Sequence, residues 1–336
     1  MVTRARIMID KDKGALESIA YGPVPSRRLG QSLGINNISP KVCSYSCVYC
    51  QLGKTVNMRF ERGLFYEPEQ IASSVKNRVE QAGEKGEHID YLAFVPDGEP
   101  TLDANMGIDI DLLRPLGIKI AVITNASLIW RRDVRQDLQK ADWVSLKIDT
   151  VSNDIWRRLN RPHKELDLDK IQEGMLEFGN GFKGELVTES MLIRGFNDNW
   201  QELEKLAGFL TSLKPHCAYL AAPTRPPAET MVRAAGEEST NLAYRVFSER
   251  LPCVERLIGY EGNAFAFTSN IKDDLLGITS VHPMRKEGIM ELLTKANSGW
   301  NVIEELIEDD KLKEKEYKGF KFYLRRLPDK RALKRK

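Results

Sequence analysis

The chain has 336 residues, of which 42% are hydrophobic and 29% charged, with a formal net charge of +2. This balance excludes a disordered chain and is typical of a globular protein built from one large domain and a smaller one. No apolar run approaches the roughly twenty residues of a membrane span, and the first residues lack a secretory signal pattern. We therefore expect a cytoplasmic protein with no membrane partner.

Short β-rich runs alternate with amphipathic segments through most of the chain. Strands are predicted over residues 32–36, 91–95, 118–124, 143–149, 186–193 and 217–221. Helices are predicted over residues 67–85, 131–140, 168–178 and 200–213. Residues 1–20 are expected to form a loosely ordered lead-in. Residues 22–30, with two prolines, are predicted to be a rigid loop whose Arg27 and Arg28 either bind substrate phosphate or carboxylate or face solvent. The alternating strands and helices form about six β-α units. This alternation predicts an α/β fold with parallel strands and crossover helices.

Three of the five cysteines, Cys43, Cys47 and Cys50, lie in one loop after the first predicted strand. Soft thiolate ligands suit zinc, copper(I) or iron-sulfur clusters. A structural zinc site would need a fourth ligand, and none of the four histidines has the required spacing. A disulfide framework would need an even number of cysteines and an oxidising compartment. The spacing favours a four-iron cluster with one iron open, and Cys217 and Cys253 are expected to stand alone as small buried hydrophobes.

A second motif follows about fifty residues later, where a predicted strand runs into Asp97-Gly98-Glu99-Pro100-Thr101. Together with the spacing C-x3-C-x2-C, it resembles the radical S-adenosylmethionine (SAM) superfamily, whose G-G-E-P motif has Asp97 in place of its first glycine here. Residues 22–30 and 223–227 are similar to the branch grouped with the tRNA wyosine synthases. Those synthases carry extra cysteines before the loop, whereas residues 1–42 contain none. We therefore expect a different substrate within this branch.

The resemblance implies a partial (β/α)6 barrel, placed at residues 21–275, that holds a 4Fe-4S cluster through Cys43, Cys47 and Cys50. It also implies that SAM chelates the open iron and is cleaved to methionine and a 5′-deoxyadenosyl radical, which abstracts hydrogen from the substrate. The electron would come from an external donor of the flavodoxin or ferredoxin type.

Five residues are implied as contacts to SAM. Glu99 would accept from the methionine ammonium, and Gly98 would let the backbone approach closely. Tyr49 would lie beside the adenine, while Thr124 and Asn125, at the tip of a strand, suit the ribose hydroxyls or the carboxylate.

The predicted strand at residues 143–149 alternates cleanly between polar and apolar residues. Its polar residues Ser145, Lys147 and Asp149 would point into a barrel-like sheet, and Glu189 is a further acid within an apolar run. Because buried charges are costly unless paired or used, we predict that Lys147 and Asp149 are catalytic and that Ser145 and Glu189 bind cofactor. An internal salt bridge at the barrel mouth is the alternative. Lys147 is a candidate Schiff-base amine or carboxylate anchor.

The C-terminal region changes character near Gly277. Helices over residues 282–295 and 301–307, then strands over 312–317 and 320–324, predict a winged-helix-like α+β domain at residues 280–326 with a basic tail at 327–336. From Lys311 onward there are twelve Lys or Arg against three Asp or Glu, while the remainder is mildly acidic. The second helix carries five acids from Glu304 to Asp310 and no basic residue, which argues against entry into a DNA groove.

Three functions are compatible with these features. The first is a radical SAM enzyme, similar to those of tRNA modification, that acts on an RNA base or nucleotide with help from the basic C-terminal module. The second is a radical SAM enzyme that modifies a peptide or protein held by that module. The third is a cluster-bearing, nucleic-acid-binding regulator, against which the intact Glu99 motif and the acidic helix both argue.

Overall fold

The computed structural model describes residues 19–257, 259, 262–267 and 270–326. Apart from residues 19 and 20, the expected lead-in lies outside the described residues, as does the basic tail at 327–336. The strands are β1 Ala20–Ser26, β2 Gly30–Ile35, β3 Val42–Cys43, β4 Asn57–Met58, β5 Tyr91–Phe94, β6 Lys119–Thr124, β7 Trp143–Lys147, β8 Glu185–Met191, β9 Cys217–Ala221, β10 Val254–Leu257, β11 Met284–Arg285, β12 Leu312–Tyr317 and β13 Phe320–Arg325. The helices are α1 Pro68–Glu84, α2 Met106–Leu113, α3 Arg132–Leu138, α4 Asn153–Leu159, α5 Leu168–Gly181, α6 Trp200–Leu213, α7 Glu237–Ser248, α8 Ile271–Val281, α9 Lys286–Lys295 and α10 Asn301–Glu308.

One large sheet organises the molecule, with the strand order β1-β2-β5-β6-β7-β8-β9-β10. All neighbours from β2 to β10 pair in parallel, and only β1 runs antiparallel to β2. Within the described residues β1 and β10 do not pair with each other, so the barrel stays open between them. The predicted α/β fold with a partial barrel is confirmed.

The alternation along β7 places its two sets of side chains in different clusters. Val144 and Leu146 belong to the large apolar cluster that the helices cover. Trp143 belongs instead to a smaller cluster that contains Ala93 and Ala121 of the neighbouring strands. Because alternate residues of a strand face opposite ways, the odd-numbered positions of β7 point into the interior of the barrel.

Of the segment predicted to be a rigid loop, residues 22–26 instead belong to strand β1, the antiparallel edge of the large sheet, and residues 27–29 form the turn that leads into β2. Pro23 and Pro25 both lie within this strand. An edge strand tolerates proline because one side of its backbone makes no ladder hydrogen bonds. The ring of Tyr21 covers Gly34 of β2, where a Cβ atom would lie 2.0 Å from the tyrosine Cζ.

The expectation that Cys217 and Cys253 stand alone is wrong, because they form a disulfide with their Cα atoms 4.6 Å apart. Cys217 begins β9, and Cys253 directly precedes the neighbouring parallel strand β10, where Val254 pairs with Ala218. Adjacent strands therefore bring the two side chains together. Cys217 is nevertheless buried within the apolar cluster of the barrel interior, as expected.

The C-terminal segment has its own apolar cluster, built from α8, α9, α10 and the strands that follow. A three-stranded sheet in the order β11-β13-β12 completes it, with β12 and β13 forming the predicted hairpin. The cluster includes Tyr21 and Val24 of β1, so the C-terminal segment packs directly against the edge of the large sheet.

Candidate active site

A cavity of about 280 Å³ opens at the carboxyl ends of the parallel strands. This is the end at which α/β folds place their binding sites. Cys43, Cys47 and Cys50 all line the cavity, and none of them is in a disulfide. The wall further includes Arg27, Arg28, Tyr49, Gly98, Glu99, Thr124, Asn125, Lys147, Glu189 and Arg225. Most of the site residues predicted from the sequence thus line this one cavity.

Backbone contacts on two sides fix the cysteine loop. Cys43 ends β3, and the preceding Val42 bridges in parallel to Gly98. Farther along the loop, the amide of Val48 donates to the carbonyl of Leu159 at the end of α4, 3.0 Å away. The loop is therefore held between the strand that carries the glutamate motif and a helix of the barrel wall.

Side-chain amides reach two of the three sulfurs. Asn125 Nδ2 lies 3.5 Å from Cys43 Sγ, and Asn160 Nδ2 lies 3.5 Å from Cys47 Sγ. Burial raises the pKa of all three thiols, that of Cys47 to about 12. Because burial disfavours a bare thiolate, sulfurs of this kind suit thiolates that are bound to a metal, and N–H donors to two of them add support. Three such ligands fit an iron-sulfur cluster with an open iron.

Gly98 is required by the close approach of two backbone segments. A Cβ atom at this position would lie 1.9 Å from the carbonyl oxygen of Val42. Real Cβ atoms do not approach other atoms so closely, and a backbone oxygen cannot swing aside as a side chain could. Any larger residue at Gly98 would therefore push β3, and with it Cys43, away from its position.

Glu99 is fully buried and accepts four hydrogen bonds from the chain. Its Oε1 accepts from Thr101 N at 3.0 Å and from the hydroxyls of Thr101 and Thr124 at 2.6 Å each. Among the residues that the structure describes, its Oε2 accepts from Asn125 N alone, at 2.7 Å. Burial raises the pKa of Glu99, and these hydrogen bonds oppose the rise. Because a carboxylate oxygen has two lone pairs, Oε2 can accept one more donor.

The side chain of Asn125 links Glu99 to the cysteine loop. Its amide nitrogen donates to Ser44 Oγ at 3.0 Å as well as to Cys43, and Ser44 Oγ lies 2.6 Å from Ser127 Oγ. A single hydrogen-bonded network therefore sets the position of a cysteine, the glutamate and the tip of β6.

Three charges and two aromatic rings meet at the wall of the barrel interior. Glu189 Oε1 accepts from Lys147 Nζ at 2.6 Å, and its Oε2 pairs with Arg28 at 2.5 Å. Lys147 Nζ also lies 5.1 Å from the centre of the Tyr49 ring, and Arg28 lies 5.9 Å from that of Trp143. The alternative of an internal salt bridge at the barrel mouth is thus present in the structure.

These ion pairs outweigh the effect of burial on the protonation of Glu189 and Lys147. Burial alone would raise the pKa of Glu189, but Lys147 and Arg28 lower it to about 2. Burial alone would lower the pKa of Lys147, but Glu189 and Asp149 hold it above its ordinary value. Glu189 and Lys147 therefore both stay charged at neutral pH.

Asp149 and Ser145 are not among the residues that line the cavity. Asp149 is 3% exposed and accepts from the hydroxyl of Tyr49, from Asn160 Nδ2 at 2.6 Å and from Met191 N at 2.8 Å. Ser145 is buried, with its hydroxyl 3.5 Å from a nitrogen of Arg28. Asp149 therefore contacts the cavity through Tyr49, and Ser145 through Arg28.

Arg225 was not singled out from the sequence as a site residue, yet it lines the cavity and joins it to the C-terminal segment. It donates to Gln51 Oε1 at 2.9 Å and to the ring of His282 at 2.9 Å. Gln51 Nε2 in turn donates to Val281 O at 3.2 Å. The available signals were the arginine among the prolines of residues 223–227 and the glutamine directly after Cys50.

The family model of the radical SAM superfamily matches residues 37–210. A UPF0026 protein of Methanocaldococcus jannaschii is 48% identical over 312 residues, covering 92% of this chain and 97% of that protein. A UPF0026 protein of Helicobacter pylori is 30% identical over 309 residues, covering 91% and 97%. A solved radical SAM methyltransferase from Sphaerobacter thermophilus has a TM-score of 0.51 at 16% identity, over 68% of this chain and 67% of that one, which is a likeness of fold alone. The chain belongs to the radical SAM superfamily and, within it, to the UPF0026 proteins.

Membership of this superfamily makes the protein an enzyme whose cofactors are a 4Fe-4S cluster and SAM. The three free cysteines, the glutamate network and the cavity between them fit these two groups. In the part of the chain that the structure describes, no helix has the length and apolar character needed to span a membrane.

Proposed function

We propose that this protein is a radical SAM enzyme that acts on an RNA base or nucleotide. The observation that carries the proposal is the composition of the cavity, where the three free cysteines share a wall with Arg28, Lys147 and Arg225. Positive charge beside the place of radical formation suits a substrate that carries phosphate or carboxylate. Activity in the cytoplasm is part of the proposal.

Cys43, Cys47 and Cys50 would hold the cluster, and bound SAM, when reduced through it, would supply a 5′-deoxyadenosyl radical for hydrogen abstraction. Glu99 Oε2 has acceptor capacity for the methionine ammonium. Asn125 holds the cysteine loop and Glu99 at a fixed distance from each other. The sites for the cluster and for SAM therefore keep a constant relative position. The hydroxyl of Tyr49 donates to Asp149, which holds the ring of Tyr49 as a flat surface beside the cysteines. An electron donor of the flavodoxin or ferredoxin type would serve the cluster.

Lys147 acts as an anchor for an anionic group of the substrate rather than as a Schiff-base amine. Its ion pair with Glu189 favours the protonated form, and an ammonium group has no lone pair with which to attack a carbonyl carbon. Arg28, on the other side of Glu189, adds a second cation to the same wall. Asp149 is a positioning residue, because it acts on the cavity through Tyr49.

The C-terminal segment is proposed to be a winged-helix-like module that engages RNA. Its order of helix, short strand, two helices and hairpin supports this assignment. Helix α10 carries Glu304, Glu305 and Glu308, so a DNA-groove role for it remains unfavourable. Contacts to a phosphate backbone would instead come from the lysine-rich hairpin. The likeness of residues 22–30 and 223–227 to the wyosine-synthase branch agrees with an RNA substrate.

The test is an anaerobic assay of the protein reconstituted with iron and sulfide, given dithionite and SAM, with and without total cellular RNA. We expect 5′-deoxyadenosine in both cases and more of it with RNA, and a new modified nucleoside in the RNA digest. Cys47→Ala should abolish both products, whereas Cys253→Ala, away from the cavity, should retain them. Stimulation by a protein fraction instead of RNA would favour the peptide-modifying alternative. A loaded cluster that yields no 5′-deoxyadenosine would contradict the proposal.

A further inference from the structure

Strand β12 separates its charges between its two faces. Its sequence is Leu-Lys-Glu-Lys-Glu-Tyr, so the period of two places the lysines on one face and the glutamates on the other. The glutamate face packs on the C-terminal segment itself, where the hydroxyl of Tyr323 donates to Glu314 at 2.6 Å and Lys321 pairs with Glu314 at 2.9 Å. The lysine face is therefore directed away from that segment.

The lysine face meets the loop that walls the active-site cavity. Lys315 Nζ donates to Pro227 O at 3.2 Å, while the hydroxyl of Tyr317 and Lys318 Nζ both donate to Pro223 O at 3.3 Å. Pro223 is itself a cavity-lining residue. Lys315 and Lys318 thus lie beside the mouth of the cavity.

The positive charge of this face is not neutralised by acids. Among the described residues, no carboxylate lies within ion-pair distance of Lys313, Lys315 or Lys318. Burial lowers the pKa of Lys313, and the neighbouring cations Lys41, Lys315 and Arg326 lower it further. Like charges crowd together here, at a cost in stability that a bound anion would remove.

We propose that Lys313 and Lys315 on the lysine face of β12, together with Lys318 of the turn that follows, bind the phosphate backbone of the RNA substrate and direct a nucleotide into the cavity. Lysine ammonium groups contact phosphates as point charges, and such contacts position a nucleic acid without reading its sequence. The inference rests on the proposed RNA substrate, because a nucleotide lacking a backbone would not need this surface.

The experiment measures binding of a fluorescein-labelled, mixed-sequence 20-nucleotide RNA to the reconstituted enzyme by anisotropy, at several salt concentrations. Lys313→Ala/Lys315→Ala should weaken binding on the order of tenfold at low salt and make the salt slope shallower by about 1.4, which is two phosphate contacts on a single strand. Lys313→Arg/Lys315→Arg should restore binding.

The matched control is Lys272→Ala/Lys321→Ala, which removes the same net charge from exposed, ion-paired positions of the same segment. It should change the affinity less than twofold. Equal weakening in both double variants, or no weakening in either, would overturn the inference while leaving an RNA substrate intact. Formation of 5′-deoxyadenosine from SAM alone should be unchanged in all variants and reports on the folded active site.

Two outcomes separate this inference from the proposed function. If the wild type binds no RNA but binds a polyglutamate peptide, and Lys313→Ala/Lys315→Ala loses that binding, both the RNA assignment and the inference are wrong. If RNA is modified in the enzymatic assay while the lysine variants bind it normally, only the inference is wrong.

Discussion

Lys147 Nζ lies 2.6 Å from Glu189 Oε1, and the two residues face each other on the neighbouring strands β7 and β8. The other oxygen of Glu189 holds Arg28. One carboxylate thus keeps two cations at the cavity wall, and its removal would deprive both of them of this ion-pair partner.

Glu189→Gln should therefore lower the free energy of unfolding by about 3 kcal/mol, as expected when one partner of a buried ion pair is removed. Urea titration followed by tryptophan fluorescence measures this. Glu165 is exposed and pairs with Lys164 at 3.8 Å, so Glu165→Gln should change it by less than ~0.5 kcal/mol. Because the pKa of Glu189 is lowered to about 2, its contribution is present above the ordinary carboxyl range and is lost as the pH falls toward 2. An equal loss in both variants would contradict the ion-pair interpretation.

Gly98→Ala should displace β3, because the new Cβ would lie 1.9 Å from Val42 O. We expect less bound iron after reconstitution and weaker absorbance of the cluster, since Cys43 follows Val42 directly. Gly208→Ala is the matched control, because a Cβ there meets nothing within 4 Å and alanine favours the interior of α6. Full iron loading of Gly98→Ala would show that the two backbone segments can separate without loss of the site.

Asp103 and Asp109 form a buried pair beside the glutamate motif, both 0% exposed. Burial raises the pKa of Asp109, and Asp103 raises it further, so the pair holds one proton at neutral pH. A raised pKa in the folded state stabilises the fold at low pH, and this contribution is lost as the pH rises. Between pH 6 and 9, wild-type stability should therefore fall relative to Asp109→Asn, by up to ~1.4 kcal/mol per pH unit.

Chemical denaturation at each pH checks this prediction. Asp154→Asn, at an exposed position near the start of α4, should give a curve parallel to that of the wild type. A parallel curve for Asp109→Asn as well would show that the pair does not retain a proton on folding.

The Cys217–Cys253 disulfide predicts the pattern of cysteine labelling. Apoprotein that is unfolded without reductant and alkylated should gain three labels, and reductant should raise the number to five. Peptide mass spectrometry should place the first three labels on Cys43, Cys47 and Cys50. Five labels without reductant would mean that the two cysteines remain thiols in the protein as isolated.

Local patterns in the sequence predicted the parallel strands and the long amphipathic helices. Strand β9 and helix α6 have the predicted bounds, because each is a continuous apolar or periodic segment. Helix α7 was not predicted because it is rich in polar residues, and β10 because half of its four residues are charged. The disulfide depends on β10 lying next to β9, which spacing along the chain does not reveal.

Local sequence also predicted one part of the candidate site and missed another. The cysteine loop and the glutamate motif are contiguous in sequence, so their residue types alone indicated the chemistry. The alternation along β7 predicted that Lys147 faces the barrel interior, and Glu189 was noted as an acid within an apolar run. The link from Asp149 through Tyr49 to the cavity joins residues one hundred positions apart, and only the assembled fold shows it.

The loop of the three cysteines is tied to the last turn of α8 through Gln51, and Arg225 joins Gln51 to His282. A ligand held by the C-terminal segment and a cofactor held by the cysteines therefore share the same few hydrogen bonds. Where one occupant favours a particular arrangement of those bonds, the other must gain or lose affinity by the same factor. Under the proposed function, these hydrogen bonds would couple binding of the substrate at the C-terminal segment to binding of the cofactors at the cysteine loop.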